Sequence, residues 1–86
     1  MNWFVYILEC GDGSLYTGVT TDLERRLAEH NTGRGSKYTA ARLPVRLVFS
    51  ERHADRSAAQ KREASIKRMP RREKLALLET TRKNSR

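Results

Sequence analysis

The chain has a single cysteine, Cys10, in 86 residues. That excludes an intrachain disulfide and any metal site built on a cysteine cluster, and it suits a reducing compartment. Long hydrophobic runs are missing as well. No apolar stretch approaches the roughly 20 residues needed to span a bilayer. The N-terminal MNWFVYILEC lacks a basic n-region and is short for a signal h-region. A cytoplasmic protein without membrane association is therefore expected. Acids are scarce too, with 10 Asp plus Glu against 18 Lys plus Arg, for a formal net charge of +8. So basic a chain favours an anionic partner, nucleic acid foremost, although a charge of about eight also serves plain solubility in small domains. No internal repeat or low-complexity tract breaks the sequence. A single domain with a small core is expected over residues 1–79, followed by a polar, basic, disordered tail over 80–86.

What is present begins with Trp3 to Glu9, rich in aromatic and β-branched residues. Alternation puts Phe4, Tyr6 and Leu8 on one face and Trp3, Val5 and Ile7 on the other, the pattern of a central strand covered on both sides. Gly11-Asp12-Gly13-Ser14 supplies hairpin turn residues, and Leu15 to Val19 returns as a second strand with Tyr16 and Gly18 on one face. Thr21, with Glu24 three residues later, has capping-box spacing and opens a helix to about Asn31, ended by Gly33. At 100° per residue Leu23 and Leu27 mark its buried stripe. Arg26 and His30 lie beside that stripe one turn apart, while Arg25 points to solvent. Gly33 to Arg46 carries Arg34, Lys37, Arg42 and Arg46 and no acid, with a helical turn expected over Tyr38 to Arg42 before Pro44. Val45 to Glu51 reads as a third strand, with Val45, Leu47 and Phe49 on one face. Asp55 caps a helix through Arg68 whose apolar stripe is Ala59, Ile66 and, between them, Glu63. Pro70 opens a last helix in which Leu75, Leu77 and Leu78 pack.

Taken singly, these polar residues are unremarkable. Tyr6 and Tyr16 fit a core with hydroxyls at its rim. Arg26 fits a solvated helix face, and His30 a helix end favoured by the dipole. Glu63 needs a cation beside it, because burial without one is costly. Together they form a spacing: Tyr-x-Gly, arginine ten residues after the tyrosine, histidine four further on. With Val5-Tyr6-Ile7, Tyr16-Thr17-Gly18, Arg26, His30 and Glu63 in the later helix, the chain resembles the GIY-YIG nuclease family from about Trp3 to Met69. It is most similar to small stand-alone bacterial GIY-YIG proteins of uncharacterised function. The stretch HNTGRGSKYTAARLPVRLVFSE is shared in part with structure-specific nuclease subunits.

The resemblance implies an α+β fold, a small three-stranded antiparallel sheet flanked by helices in the order β-β-α-β-α-α. It implies a metal-dependent endonuclease that hydrolyses phosphodiester bonds of DNA, or of RNA, with a place in repair or recombination. By its pattern Tyr6, Tyr16, Arg26, His30 and Glu63 are the catalytic residues, Gly18 is structural, and Glu63 holds a single divalent ion, Mg²⁺ or Mn²⁺. Arg26 neutralises phosphate charge, and a tyrosine orients or deprotonates the water, base work requiring nearby cations to lower its pKa; family members differ over which tyrosine is the base, and Tyr6 is favoured here with Tyr16 as the orienter. His30 either holds the phosphate or activates Tyr6. The sequence departs from the family pattern at Phe4, where a glycine is usual, and at Leu75, near the place of a late asparagine.

Family members usually recruit a separate DNA-binding domain or a protein partner that supplies specificity. Here affinity is expected from the chain's own surface: Arg56 to Lys74 holds eight basic residues against two acids. Lys37, Arg42, Arg62, Lys67 and Arg68 are the candidate phosphate contacts. Two other classes compete with the enzyme reading. One is a nucleic-acid-binding module with weak catalysis or none, and the other is a basic accessory protein of a larger assembly. Retention of the whole polar set favours the enzyme.

Overall fold

A computed structural model describes residues 1–84. Strand β1 (Trp3–Glu9) lies at the centre of a three-stranded sheet, with β2 (Leu15–Thr20) and β3 (Arg46–His53) antiparallel on either side, in the order β2-β1-β3. It takes the central place because both of its faces are apolar. Val5 and Ile7 enter one cluster, with Phe49, Ala59, Ile66 and Leu78. Tyr6 and Leu8 enter another, with Cys10, Val45, Tyr16, Leu23 and Leu27. Full burial of a side chain such as Ile66 contributes about 1.5–3 kcal/mol. The β1–β2 turn is closed by Gly13 at φ 85° and by Asp12, whose carboxylate accepts from the Ser14 amide and hydroxyl.

Helices cover the two faces. Helix α1 (Leu23–Asn31) and the single turn α2 (Lys37–Ala40) lie on the Tyr6 side; α3 (Arg56–Lys67) and α4 (Arg71–Asn84) lie on the Val5 side. This is the expected α+β fold, with the short helical turn in the basic loop realised as α2. Asn31 ties the end of α1 to the chain entering β3: its amide donates to the Val45 carbonyl at 3.0 Å and its oxygen accepts from the Val45 amide at 2.9 Å. Asp55 caps α3 by accepting from Ala58, as expected.

Four local expectations change. Helix α1 is capped by Asp22, which accepts from the Arg25 amide, and not by Thr21; the carboxylate reaches the orphan amide one position later. Val45, Leu47 and Phe49 do not share a face. The β1–β3 register pairs Ile7 with Phe49 but Leu8 with Leu47, a bulge that absorbs one residue. Phe49 therefore joins the Val5 cluster and Val45 the Tyr6 cluster, because alternation cannot be counted across an inserted residue. Leu75 is exposed rather than packed, and Leu78 carries the contact from α4. Finally, α4 continues through Asn84 into the stretch expected to be a disordered tail, whose last two positions lie outside the described residues. Among the described residues no helix is long and apolar enough to cross a membrane.

Candidate active site

The site is built on the pairing of Tyr6 in β1 with Gly18 in the edge strand β2. A Cβ at position 18 would stand 2.5 Å from Tyr6 Oη and 2.6 Å from its Cζ. Glycine is needed here for space: the Tyr6 ring crosses β2 where any side chain would be. The ring is buried, and its hydroxyl meets the last turn of α1, with His30 Nε2 2.9 Å away and the Arg26 Nε donating to it at 3.4 Å. Arg26 and His30 share one helix edge, and Arg25 is exposed, as the helical phase requires.

His30 is fully buried and both ring nitrogens are engaged, Nδ1 lying 2.8 Å from Thr39 Oγ1 in α2. One arrangement of protons gives each donor an acceptor. The Tyr6 hydroxyl donates to Nε2, Nδ1–H donates to Thr39 Oγ1, and the Thr39 hydroxyl donates to the Ser36 carbonyl at 3.4 Å. Ser36 also caps α2 by accepting from the Thr39 amide, which sets the Thr39 side chain. Burial, then the neighbouring Arg26 charge, holds the His30 pKa below its ordinary value, so the ring is neutral near pH 7. Both ring nitrogens of this buried histidine are thus engaged within the protein, Nε2 with Tyr6 and Nδ1 with Thr39.

The Tyr6 pKa moves against expectation. Arg26 lowers it, by its hydrogen bond and its charge, but burial outweighs both and the phenol ends above its ordinary value. Tyr16 and Glu63 add smaller upward pushes. Tyr6 is therefore a protonated phenol that faces a neutral imidazole.

Arg26 is held on three sides. Besides Tyr6, its Nη1 donates to Glu29 at 3.0 Å and its Nη2 to the Gly35 carbonyl at 2.9 Å. Three of the five N–H groups of a guanidinium are thus spent on position, and two remain for an incoming anion. Gly35 has a second duty. A Cβ there would fall 2.6 Å from His30 Cε1 and nearer still to Nδ1 and Cγ, so the loop lies flat on the imidazole only because position 35 is glycine. Tyr16 completes the cluster: its ring is 5.2 Å from that of His30 and 6.5 Å from that of Tyr6. Its hydroxyl makes no hydrogen bond among the described residues.

Glu63 arrives from α3, on the other layer, between buried Ala59 and Ile66. Its carboxylate lies close enough to act on the Tyr6 hydroxyl electrostatically, and it is paired with Lys67 Nζ at 3.2 Å. Tyr6, Arg26, His30 and Tyr16 are thus in mutual contact from three separate elements, and Glu63, from a fourth, adds its charge to the surroundings of Tyr6. The basic candidates divide. Arg62 turns toward β3 and donates to Glu51 at 3.0 Å, with His53 on the same carboxylate at 2.8 Å. Arg42 lies over the Tyr38 ring and pairs with Asp12 at 3.1 Å. Lys67 is engaged by Glu63, while Lys37 and Arg68 are exposed.

Thr39, Ser36, Gly35 and Glu29 escape sequence reasoning. Ser36 and Thr39 have the spacing of a helix cap, but nothing in that spacing says the threonine also orients a histidine. Glu29 reads as an ordinary helix-surface partner at i+3, and Gly35 as one more loop glycine.

Among known proteins, the GIY-YIG catalytic domain matches residues 2–76. The UPF0213 protein of Streptococcus sanguinis is 50% identical over 82 residues, 95% of this chain and 94% of that protein. The UPF0213 protein of Haloquadratum walsbyi is 57% identical over 76 residues, 88% of this chain and 85% of that protein. Two solution structures are similar. The UPF0213 protein of Bacillus halodurans gives a TM-score of 0.62 at 46% identity, covering 93% of this chain and 85% of that one. The corresponding figures for a protein of E. faecalis are 0.64 and 44%, with 95% and 88% covered.

Proposed function

Because the chain belongs to the GIY-YIG catalytic domain family, we propose that it is a metal-dependent endonuclease that hydrolyses phosphodiester bonds of DNA at the Tyr6–His30–Arg26 centre. The observation that carries this reading is the 2.9 Å contact between a buried phenol and a buried neutral imidazole, with a guanidinium on the same phenolic oxygen. A core tyrosine needs one hydrogen-bond partner. Two partners on one buried phenolic oxygen, an imidazole and a guanidinium, make a proton path.

In the reaction, Arg26 meets the scissile phosphate with its two remaining N–H groups and stabilises the charge that grows on the pentacoordinate phosphorus. Tyr6 takes a proton from the attacking water as its own phenolic proton passes to His30 Nε2. The hydroxide oxygen bonds to phosphorus, the P–O bond to the leaving oxygen breaks, and solvent returns a proton to that oxygen. Transfer in step spares the phenolate that burial disfavours. Thr39 holds the histidine so that Nε2 is the nitrogen offered, and Tyr16, with its free hydroxyl, orients the water.

Nucleases of this family generally use divalent ions. The donor set fits such an ion only in a shared mode: Glu63 is one carboxylate, and no group of three or more His, Cys, Asp or Glu ligands exists among the described residues. That suits Mg²⁺, which keeps several waters and binds through one or two carboxylates plus substrate oxygens. When bound, the ion supplies Lewis-acid polarisation of the phosphate and stabilises the leaving oxygen. Glu63 would hold it, giving up its ion pair with Lys67.

A second reading, a binding module without catalysis, has that Lys67–Glu63 pair in its favour. Mg²⁺-dependent cleavage of single-stranded, duplex and branched DNA by the wild type, Arg26→Ala and Glu63→Ala separates the two. The enzyme reading expects rate losses of about 100-fold or more in each variant. Cleavage that persists in both rejects the site, and tight salt-sensitive binding with no cleavage of any substrate supports the module.

A further inference from the structure

The catalytic cluster does not end at Tyr16. Tyr38 in α2 stacks on the Tyr16 ring, centroids 6.0 Å apart and planes 28° from parallel. Arg42 continues the series, its guanidinium carbon 3.9 Å from the Tyr38 ring centroid. The guanidinium is anchored in that place by Nη1 donating to the Tyr38 carbonyl at 2.9 Å and by Nε on Asp12 at 3.1 Å. The result is a row of flat groups, His30, Tyr16, Tyr38 and Arg42, that starts at the reacting centre and runs outward. The chemistry described above uses neither Tyr38 nor Arg42.

Core packing does not account for the outer end. Tyr38, on a helix of four residues, is 38% exposed, and the Arg42 side chain, in the turn that follows, is 35% exposed. The surrounding chain from Gly33 to Arg46 carries four cations and no carboxylate, and Lys37 is exposed one residue from Tyr38. Aromatic and guanidinium planes beside cations are how proteins hold unpaired bases, since every base has a π-face and the backbone phosphate follows it. In an intact duplex those faces are already stacked on their neighbours.

We propose that Tyr38 and Arg42 form a stacking platform for one unpaired base, with Arg42 presenting the outer plane. The preferred substrate of the neighbouring site is then single-stranded or splayed DNA, a flap, gap or frayed end, rather than intact duplex. The placement of the base beside the scissile phosphate rests on the nuclease reading; the platform itself does not.

Binding without cleavage tests it. The full chain in EDTA is titrated into a fluorescein-labelled single strand of about a dozen nucleotides and into a blunt hairpin duplex, with anisotropy as the readout. A parallel single strand carries 2-aminopurine, whose emission is quenched by stacking. The platform predicts tighter binding of the single strand and 2-aminopurine quenching. Tyr38→Leu and Arg42→Lys, which keep bulk or charge but remove the plane, weaken single-strand binding about tenfold and abolish the quenching, with duplex binding within twofold. Tyr38→Phe behaves as wild type. Equal weakening on both probes, or unchanged quenching in Arg42→Lys, overturns the platform. Should Tyr38→Leu fail to fold, Arg42→Lys decides alone. A protein that shows the predicted binding pattern but cleaves nothing with divalent ions sinks the nuclease reading and leaves the platform standing. Cleavage of blunt duplex and single strand at equal rates, without quenching, does the reverse.

Discussion

Replacing Gly35 by alanine should disable the site without changing the identity of any group that reacts. The backbone at 35 needs no positive φ, so the effect is steric. The new Cβ would lie 2.6 Å from His30 Cε1, where ordinary non-bonded contact is about 3.5–4 Å, so the ring or the loop must shift by roughly 1 Å. Neither moves freely: His30 is fully buried and pinned at both nitrogens, and the Gly35 carbonyl holds Arg26. Overpacking of this kind costs about 1–3 kcal/mol, and each hydrogen bond lost adds about 1 kcal/mol. We expect a loss of about 2–4 kcal/mol, a large part of the stability of so small a domain. With a urea m-value of about 1 kcal/mol/M, the midpoint falls by about 2 M or more. Gly33→Ala is the control. At φ 82°, with nothing within 4 Å of its Cβ position, alanine there is strained only by its backbone, by about 1 kcal/mol, and should leave the imidazole alone. Urea unfolding, NMR of the His30 ring nitrogens and single-turnover cleavage form the assay. A Gly35→Ala protein with wild-type midpoint and unshifted His30 resonances would refute the reasoning.

Gly18→Ala should act on the other side of the same contact. It drives the Tyr6 hydroxyl off His30 and lowers single-turnover cleavage by at least tenfold, a loss that wild-type-like kinetics would contradict. The His30 pKa is depressed in the fold, so the stability its neutral ring contributes is present above about pH 6.5 and lost as pH falls through the folded value. The urea midpoint should therefore drop between pH 7 and pH 5, with much of that slope gone in His30→Gln. A slope that survives the substitution assigns it to other groups. Releasing Glu63 from its half-exposed partner with Lys67→Met should lower the Mg²⁺ concentration for half-maximal cleavage a few-fold, while Glu63→Gln should raise it beyond reach. An unchanged Mg²⁺ requirement in both variants removes Glu63 from the metal site.

Much of this molecule is legible in its residues, and what is not has identifiable causes. The central strand follows from two apolar faces, and the choice of Arg26 over Arg25 from helical phase, because both depend on periods that local geometry fixes. Alternation failed in β3, where a bulge makes the count depend on the partner strand. In α4 Leu75 is exposed while Leu77 and Leu78 pack on the core. The direction of the Tyr6 pKa is hidden for a related reason. The sequence shows cations near the tyrosine but not how deeply the ring is buried, and burial outweighs Arg26.

The sequence by itself determined the order of the elements, the two faces of the central strand, and which residues had to be candidates. Those follow from interactions within a few residues along the chain. Only the tertiary structure decided that Tyr6, from one strand, meets His30. It also decided that Thr39 and Gly35, from a basic loop, fix the seat of that histidine, and that the charge of Glu63 acts on Tyr6 from the opposite layer. Contacts across five to several tens of residues depend on where a ring finds space, and that space exists only once β2 carries no side chain at Gly18 and the loop none at Gly35.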